Sequence, residues 1–318
     1  MITVKNAGTY KDYGNVLSVS NGTVEALVTT DLGPRVIFYG FIGGQNFMND
    51  NRPYFGTKTD EAYEKHADAA YIINTTPSGM YPNFEGKPID LKRFKNLEGV
   101  ADVIYNPLRT RLIEEAEELG INCCSGLKML VYQAVAACEF FIDKRPDENV
   151  SEGIFRDLKN QTENIVLTGM PGSGKSTIGK LLEKELNKEF IDTDTLIVEK
   201  EKREISDIFA TDGESYFRDV EADIIKEVSL KKNCIISTGG GAILRDENVK
   251  NLAANGRIYF LNRKPEDLVP TDDRPLANEK AKIMKLYEER LPIYKATCDE
   301  IINADVGIED TLKAFLEI

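Results

Sequence analysis

The fold of this chain is decided by nine residues near its middle, Gly169-Met170-Pro171-Gly172-Ser173-Gly174-Lys175-Ser176-Thr177. A glycine, four further residues and then Gly-Lys-Ser is the spacing of a phosphate-binding loop, whose backbone N–H groups point into one concavity. The glycines permit this because no side chain obstructs the approach of a phosphate. In such a loop Lys175 reaches the outer phosphates and the Ser176 hydroxyl holds Mg²⁺. We therefore predict a nucleotide site formed by Gly172, Ser173, Gly174, Lys175, Ser176 and Thr177.

The residues on either side of this phosphate loop support the prediction. Residues 164–168 form a short apolar run typical of a buried parallel strand, and residues 176–187 carry Ile178, Leu181, Leu182 and Leu186 at helical spacing. Strand, glycine loop and helix is the order that the site requires. The dipole and free N–H groups at the start of the helix add to the attraction for an anion.

Composition limits the classes of function. At 318 residues the chain is long enough for about two domains, and its net charge of −13 argues against nucleic-acid or anionic-membrane partners. His66 is the only histidine, which argues against Ser-His-Asp catalysis and histidine-rich metal sites. No apolar run approaches the length of a membrane span, and the N-terminus lacks a signal-peptide pattern, so we expect a soluble cytoplasmic protein.

The five cysteines lack the paired spacing of a zinc site or a disulfide framework, which fits a reducing compartment. The adjacent pair Cys123-Cys124 could be redox-active or metal-binding, with ordinary packing as the alternative.

Residues 1–60 are predicted to be a β-rich segment. Runs at 24–30 and 35–39 are separated by the turn signals Asn21-Gly22 and Gly33-Pro34, as in β-hairpins. The strings at 29–35 (TTDLGPR) and 43–46 (GGQN) resemble the opening strands of a galactose-mutarotase-like β-sandwich. The resemblance covers only the first few strands of that fold.

Residues 61–145 change to an α/β pattern, with strands predicted at 70–75 and 100–105 and helices at 110–119 and 127–141. The strings at 73–80 (INTTPSGM), 102–107 (DVIYNP) and 126–134 (GLKMLVYQA) resemble the C-terminal half of shikimate dehydrogenase, a truncated Rossmann-like segment. The resemblance implies that Tyr105 and Gln133 lie by that family's substrate, and that the loop containing Met80 lies by NADP.

The dehydrogenase resemblance is incomplete. The family's substrate-binding domain, with its catalytic lysine and aspartate, has no counterpart, and neither does its glycine-rich dinucleotide loop, so hydride transfer lacks support. We interpret the segment as a scaffold or remnant, with residual ligand binding or assembly as the alternative. Residues 146–161 are polar and charged, and predict a short surface helix and linker.

Residues 162–318 alternate strands and helices as a parallel sheet flanked by helices requires, with strands predicted at 189–191, 233–237, 257–261 and 300–302. Asp192 and Asp194 follow a strand, which places them beside the phosphate loop. With the loop, the strings Asp192-Thr193-Asp194, 217–221 (FRDVE), 239–242 (GGGA), 273–276 (DRPL) and 290–294 (RLPIY) closely resemble shikimate kinase over essentially that family's full length.

The kinase resemblance implies ATP-dependent phosphorylation of shikimate at its 3-hydroxyl. Arg218 and Arg290 offer forked donors to the substrate carboxylate, with Glu221 orienting Arg218 from the same helix face. By the resemblance Asp194 binds and activates the ring hydroxyls, Asp192 joins the Mg²⁺ coordination and Arg274 closes over the transferring phosphate from a lid. The expected catalytic residues are thus Lys175, Asp194 and Arg274, and substrate also contacts the backbone of Gly239, Gly240 and Gly241.

One departure and three alternatives stay open. Many family members carry another lid arginine near the adenine, where this chain has residues 266–270 (EDLVP), and Arg263 lies earlier. The alternatives are another P-loop small-molecule kinase such as a gluconate kinase, a bifunctional oxidoreductase and kinase, and a non-catalytic assembly protein. We expect a monomer that binds shikimate, ATP and Mg²⁺.

Overall fold

The computed structural model describes residues 3–11, 15–30, 36–41, 63–64, 66–268 and 280–317. The chain forms two compact units, one of residues 1–69 with 92–96 and one of residues 70–91 with 97–318. Arg274 with the rest of its predicted lid, and the glycines at 40–44 other than Gly40, lie outside the described residues.

The first unit contains a four-stranded antiparallel sheet in sequence order: β1 (Thr3–Thr9), β2 (Asn15–Ser20), β3 (Val24–Thr29) and β4 (Val36–Phe41). Its predicted Asn21-Gly22 turn is confirmed. Asn21 Oδ1 accepts the backbone N–H groups of Thr23 and Val24, each at 2.9 Å, and Gly22 has a φ of +94°. The turn joins β2 to β3 because asparagine and glycine supply the side-chain acceptor and the positive φ that it requires.

The second unit begins with a three-stranded parallel sheet, β5 (Tyr71–Asn74), β6 (Gly99–Asp102) and β7 (Asn122–Cys124), in that order. Its helices are α1 (Arg111–Glu118), α2 (Gly126–Ile142) and α3 (Glu148–Asn160), the last within the stretch predicted as helix and linker. Strand β6 ends at Asp102, three residues before Tyr105, where the strand was predicted to end. Asp102 Oδ1 accepts the Ile104 N–H at 3.0 Å and Oδ2 accepts the Thr110 hydroxyl at 2.6 Å, so the chain turns there towards α1.

A five-stranded parallel sheet follows, in the order β12-β11-β8-β10-β9. Its strands are β8 (Asn164–Thr168), β9 (Glu189–Asp192), β10 (Cys234–Ser237), β11 (Gly256–Asn262) and β12 (Glu300–Asn303). The flanking helices are α4 (Lys175–Leu186), α5 (Thr193–Glu201), α6 (Ile205–Thr211), α7 (Gly213–Ser229), α8 (Asp246–Asn255), α9 (Lys280–Thr297) and α10 (Ile308–Leu316). The predicted α/β fold class is confirmed.

Alternate residues of the central strand pack on opposite faces of this sheet, as strand geometry dictates. Val166 joins a core that contains Ile225 of α7 and Leu252 of α8, whereas Leu167 joins a second core with Leu182 of α4. All of these side chains are almost completely buried. The sheet therefore has helices on both faces, and its carboxyl edge carries the phosphate loop.

The two parallel sheets of the second unit meet through α1 and α8. Arg111 Nη1 donates to Glu114 at 3.1 Å, and its Nη2 donates to Asn251 at 2.8 Å and also contacts Glu247. The Arg109 N–H donates to the carbonyl of Ala254 at 2.9 Å, which supplies a partner at the C-terminal end of α8. The segment before residue 125 is thus hydrogen-bonded to the kinase-like part.

A second polar bridge sits beside these contacts, at Asn255. Its Oδ1 accepts the Leu108 N–H at 3.4 Å and its Nδ2 donates to the Thr162 carbonyl at 2.9 Å, and the residue is 1% exposed. Buried amides are stable only when both ends are hydrogen-bonded.

In the part of the chain that the structure describes, no helix has the length and apolar character needed to cross a membrane.

Arg111→Ala should lower the free energy of unfolding by about 2 kcal/mol, between the about 0–1 kcal/mol of exposed pairs and the 3–5 kcal/mol of fully buried ones. The Arg111 and Glu114 side chains are only 13% and 11% exposed, so Glu114 would lose its partner in a nearly dry site. Urea unfolding measures the change. The matched control is Arg145→Ala, whose pair with Glu139 is more than half exposed and should cost less than about 1 kcal/mol. Equal losses in the two variants would contradict the prediction.

Candidate active site

The phosphate loop lies between β8 and α4, as predicted. Gly169 has a φ of +147°, and a Cβ there would lie 2.8 Å from the carbonyl oxygen of Leu261, so the loop passes close against β11. Gly174 has a φ of +99° immediately before α4. Lys175 is 7% exposed, and its Nζ donates to the carbonyls of Gly169 at 2.9 Å and Met170 at 3.0 Å. The loop's own backbone therefore holds the ammonium group at the anion site.

Asp192 joins the loop to the outer strand β9. The Ser176 hydroxyl donates to Asp192 Oδ2 at 2.7 Å, and Asp192 Oδ1 accepts the N–H of Asp194 at 3.1 Å, which caps α5. A hydroxyl and a carboxylate are the hard oxygen ligands that Mg²⁺ uses together with substrate phosphates. Ser176 and Asp192 therefore fit this ion. The described residues contain no group of three or more His, Cys, Asp or Glu side chains that could hold a metal by themselves.

These residues open onto a cleft of about 710 Å³. The phosphate loop, the start of α5, α7, the loop after β10 and α9 all contribute to its lining. The cleft brings together the following sequence-predicted residues: Gly172, Gly174, Lys175, Ser176, Thr177, Asp192, Asp194, Arg218, Gly239, Gly240, Gly241 and Arg290. Ser173 instead lines a recess of about 90 Å³.

The Arg218 guanidinium is held by two carboxylates of α7. Nη1 donates to Glu221 at 2.8 Å and Nη2 to Glu214 at 3.0 Å. Glu221 is completely buried, so this is not the ordinary exposed helix pair. Burial raises the pKa of the Glu221 carboxyl; Arg218 opposes the increase and the charge of Asp194 adds to it. Arg218 is thus fixed with its fork at the cleft wall.

The loop after β10 has no room for side chains. A Cβ on Gly241 would lie 2.3 Å from Arg218 Nη2, and a Cβ on Gly239 would lie 2.8 Å from Asp194 Oδ1 and 2.7 Å from Glu221 Oε1. The predicted reason for glycine was the approach of a substrate. In the structure, glycine is already required by the charged side chains that lie against this backbone.

Arg290 and Tyr294 lie one turn apart on α9 and both donate to the carbonyl of Gly240, at 3.0 and 2.6 Å. Tyr294 is 1% exposed and stacks on Phe260, with ring centroids 4.7 Å apart. Burial raises the pKa of its hydroxyl well above the usual range, so it remains a donor. No role was predicted for Tyr294 from the sequence, although its i,i+4 spacing to Arg290 places both side chains on one helix face.

Two further features of the cleft were missed. An apolar wall comes from α5, α6 and α7 through Val198, Ile205, Phe209 and Phe217. These residues have ordinary core spacing, and only the fold shows that they border a cleft. Arg263 also lines the cleft, although no role was predicted for it from the sequence.

The residues implied by the dehydrogenase resemblance lie at the surface. Met80 and Tyr105 are each 44% exposed, and Gln133 on α2 is also exposed. The five cysteines, Cys123 and Cys124 among them, are free.

Comparison with solved structures gave matches to two of the three families that the sequence resembles, shikimate kinase and shikimate dehydrogenase. A shikimate kinase from Acinetobacter baumannii in complex with shikimate is 30% identical, covers 51% of this chain and 94% of that chain, and has a TM-score of 0.48. A chorismate mutase/shikimate 5-dehydrogenase fusion protein from Clostridium acetobutylicum is 36% identical, covers 30% of this chain and 36% of that chain, and has a TM-score of 0.29.

Sequence comparison is more decisive. A family model described as shikimate kinase matches residues 171–317. A shikimate kinase from Clostridium botulinum is 45% identical over 159 residues, which are 49% of this chain and 94% of the relative. One from Caldicellulosiruptor bescii is 45% identical over 151 residues, which are 45% of this chain and 87% of the relative. With nearly the whole length of such relatives contained in its C-terminal half, the chain belongs to the shikimate kinase family.

Proposed function

We propose that this protein transfers the γ-phosphoryl group of ATP to the 3-hydroxyl of shikimate, giving shikimate 3-phosphate and ADP, in the pathway to chorismate and the aromatic amino acids. The observation that carries the proposal is one cleft that is lined both by a phosphate loop and by the fixed arginines Arg218 and Arg290. Membership of the shikimate kinase family supports both the reaction and the acceptor.

The acceptor is a small ring with one carboxylate and three hydroxyls, and the cleft offers partners for both kinds of group. Arginine forks match carboxylates, and Arg218 is pre-oriented by Glu221 so that little side-chain entropy remains to be lost on binding. Asp194, in the first turn of α5, supplies an acceptor for hydroxyl hydrogens beside the phosphate loop. Arg290 is 5% exposed and donates to a carbonyl, which is a neutral group, so a carboxylate on the acceptor would add a charge compensation that a neutral acceptor would not.

Catalysis in this proposal rests on position and charge. Lys175 and the loop N–H groups hold the outer phosphates, while Asp194 orients the attacking hydroxyl in line and accepts its proton. The apolar wall of Phe209 and Phe217 excludes water, which would otherwise compete as acceptor. Mg²⁺, held by Ser176 and Asp192, neutralises charge on the phosphates when bound. Arg274 is assigned its lid role by resemblance to the family alone.

The rest of the chain enters the proposal as follows. We assign residues 1–60 to a mutarotase-like fragment, 61–145 to a partial dehydrogenase region, 146–161 to a linker with its helix α3, and 162–318 to the kinase domain. The hydrogen bonds of Arg111 and Asn255 favour a scaffolding role for the dehydrogenase-like segment. We propose a cytoplasmic monomer, and the free cysteines support a reducing compartment.

The central test is ADP release that depends on shikimate. Lys175→Ala should lower turnover by about 10²–10³-fold because it removes a fixed cation from the transferring phosphate. Asp194→Asn should lower kcat similarly by removing the proton acceptor. Arg290→Ala should instead raise the KM for shikimate about 10–100-fold, the range expected for a lost hydrogen bond to a charged group.

Arg245→Ala is the control for these variants, because Arg245 pairs with Asp219 at an exposed position. It should leave both kinetic constants within about twofold. Equal turnover with gluconate would contradict the choice of acceptor, absence of turnover in the wild type would favour an assembly protein, and shikimate-dependent NADP⁺ reduction would favour the bifunctional alternative.

Glu221→Gln tests how Arg218 is held. A carboxyl whose pKa is raised by folding contributes stability below its unfolded pKa of about 4.5, and that contribution is lost as the pH rises through the folded value. The stability of the wild type relative to the glutamine variant should therefore fall as the pH rises above about 4.5, measured by urea unfolding.

The same variant should raise the KM for shikimate more than Glu214→Gln does, because the Glu214 side chain is 48% exposed and that of Glu221 is buried. A stability difference that grows with pH, or equal KM changes in the two variants, would contradict this account of Glu221.

Limited proteolysis tests the proposed domain boundaries. Cleavage within residues 146–161 should release a fragment that begins near residue 162 and keeps shikimate-dependent activity, because every predicted catalytic and binding residue lies after it. The fragment should unfold at lower urea concentration than the intact chain, since α8 would lose its contacts with Arg109 and Arg111. An inactive but folded fragment would show that the first half contributes to the chemistry.

A further inference from the structure

Among the residues that the structure describes, four basic side chains line the cleft, and three of them already have acceptors. Lys175 donates to the loop carbonyls, Arg218 to Glu214 and Glu221, and Arg290 to the Gly240 carbonyl. Arg263 differs, because its Nε is buried and has no hydrogen-bond partner among the described residues. Of these four, it is therefore the cation that can take up an anion without giving up a protein contact.

The residues on either side of Arg263 are engaged. Asn262 Oδ1 accepts the Tyr287 hydroxyl at 3.0 Å, and the Lys264 N–H donates to Asp305 Oδ1 at 2.8 Å. Lys264 Nζ also lies 3.9 Å from Asp305 Oδ2. These contacts anchor the backbone on both sides of Arg263 and assign the Asp305 carboxylate to Lys264.

Arg263 lies at the boundary between two cavities. It lines both the main cleft and the 90 Å³ recess, and only Gly174 and Thr177 of the phosphate loop do the same. The recess adds Ser173, whose hydroxyl oxygen is buried without a hydrogen-bond partner among the described residues. Asp194, Arg218 and Arg290 do not line the recess, so it opens off the end of the cleft away from the acceptor residues.

This placement indicates which phosphate Arg263 faces. The outer phosphates are drawn to Lys175 and to the acceptor side, whereas the first turn of the helix after a phosphate loop faces the inner phosphates. Arg263 lies beside that turn, next to Thr177. An unpaired guanidinium there matches a phosphate better than any neutral group, because it offers two parallel donors and a full charge.

We propose that Arg263 binds the phosphate of the nucleotide that lies next to the nucleoside, the α-phosphate, as a nucleotide-affinity residue fixed at the end of β11. This inference rests on the proposed kinase function and adds a residue to it. The nucleoside then extends from the phosphate loop past the recess. Arg263 recognises the charge of the nucleotide and not the identity of its base.

Binding of Mg·ADP, measured by isothermal titration calorimetry, tests the proposal on the full chain. Arg263→Ala should weaken ADP binding about 10–100-fold, the loss expected for a hydrogen bond between charged groups. The dissociation constant of shikimate should stay within about twofold, because Arg263 lines the recess and the arginines assigned to shikimate do not. Arg263→Lys, which keeps a point charge without the fork, should recover part of the affinity.

The matched control is Arg257→Ala. Arg257 lies in β11, roughly 20 Å from Arg263 at six residues of about 3.3 Å each, and pairs with Glu300 at 3.0 Å. It removes the same net charge from the protein, so an effect of overall charge would weaken ADP binding equally in both alanine variants. Equal weakening would overturn the proposal.

Two further readouts separate a phosphate contact from a base contact. The loss in Arg263→Ala should have the same size for ADP, GDP and CDP, and the preference between the two diastereomers of ADP with sulfur on the α-phosphate should change. A loss confined to one base, or an unchanged ADP affinity in Arg263→Ala, would overturn the inference while leaving the kinase intact. A wild-type protein that binds no ADP would instead reject the proposed function.

Discussion

The acceptor side of the cleft depends on one carboxylate that is completely removed from solvent. Glu221 lies in α7 with its charge matched by Arg218, and the backbone passes so close that a Cβ on Gly239 would lie 2.7 Å from Glu221 and one on Gly241 would lie 2.3 Å from Arg218. A buried carboxylate is costly unless a cation and hydrogen bonds compensate it, so the arginine is bound to its place before any substrate arrives. Stability and substrate recognition therefore draw on the same pair, and neither can change alone.

Sequence alone predicts the parts of this molecule that local chemistry specifies. The phosphate loop needs its glycines and lysine wherever it occurs, and a strand before it and a helix after it follow from apolar spacing. The geometry of Asp192 beside Ser176 also follows, because parallel strands end at one edge of a sheet. The fold of residues 162–318 and most of the site were accessible in this way.

What sequence could not supply depends on contacts between distant segments. The Tyr294 hydroxyl donates to a carbonyl more than fifty residues away. That Arg263 Nε has no hydrogen-bond partner among the described residues can be seen only once the surrounding side chains are positioned in the fold. Strand β6 ends early because the Asp102 side chain accepts hydrogen bonds from a backbone N–H and a hydroxyl, which turn the chain away from the strand. The spacing of apolar residues does not predict these hydrogen bonds. The partner of Tyr294 is far along the chain, whereas those of Asp102 are two and eight residues away.

The amide of Asn255 makes one part of this chain depend on another. One end of that amide bonds to residue 108 in the dehydrogenase-like segment and the other to residue 162 at the start of the kinase-like part, in a site closed to water. Deleting the first segment would leave Asn255 Oδ1 without this donor in a site that is 1% exposed, so the later part of the chain contains a polar residue whose hydrogen bonds depend on the earlier part.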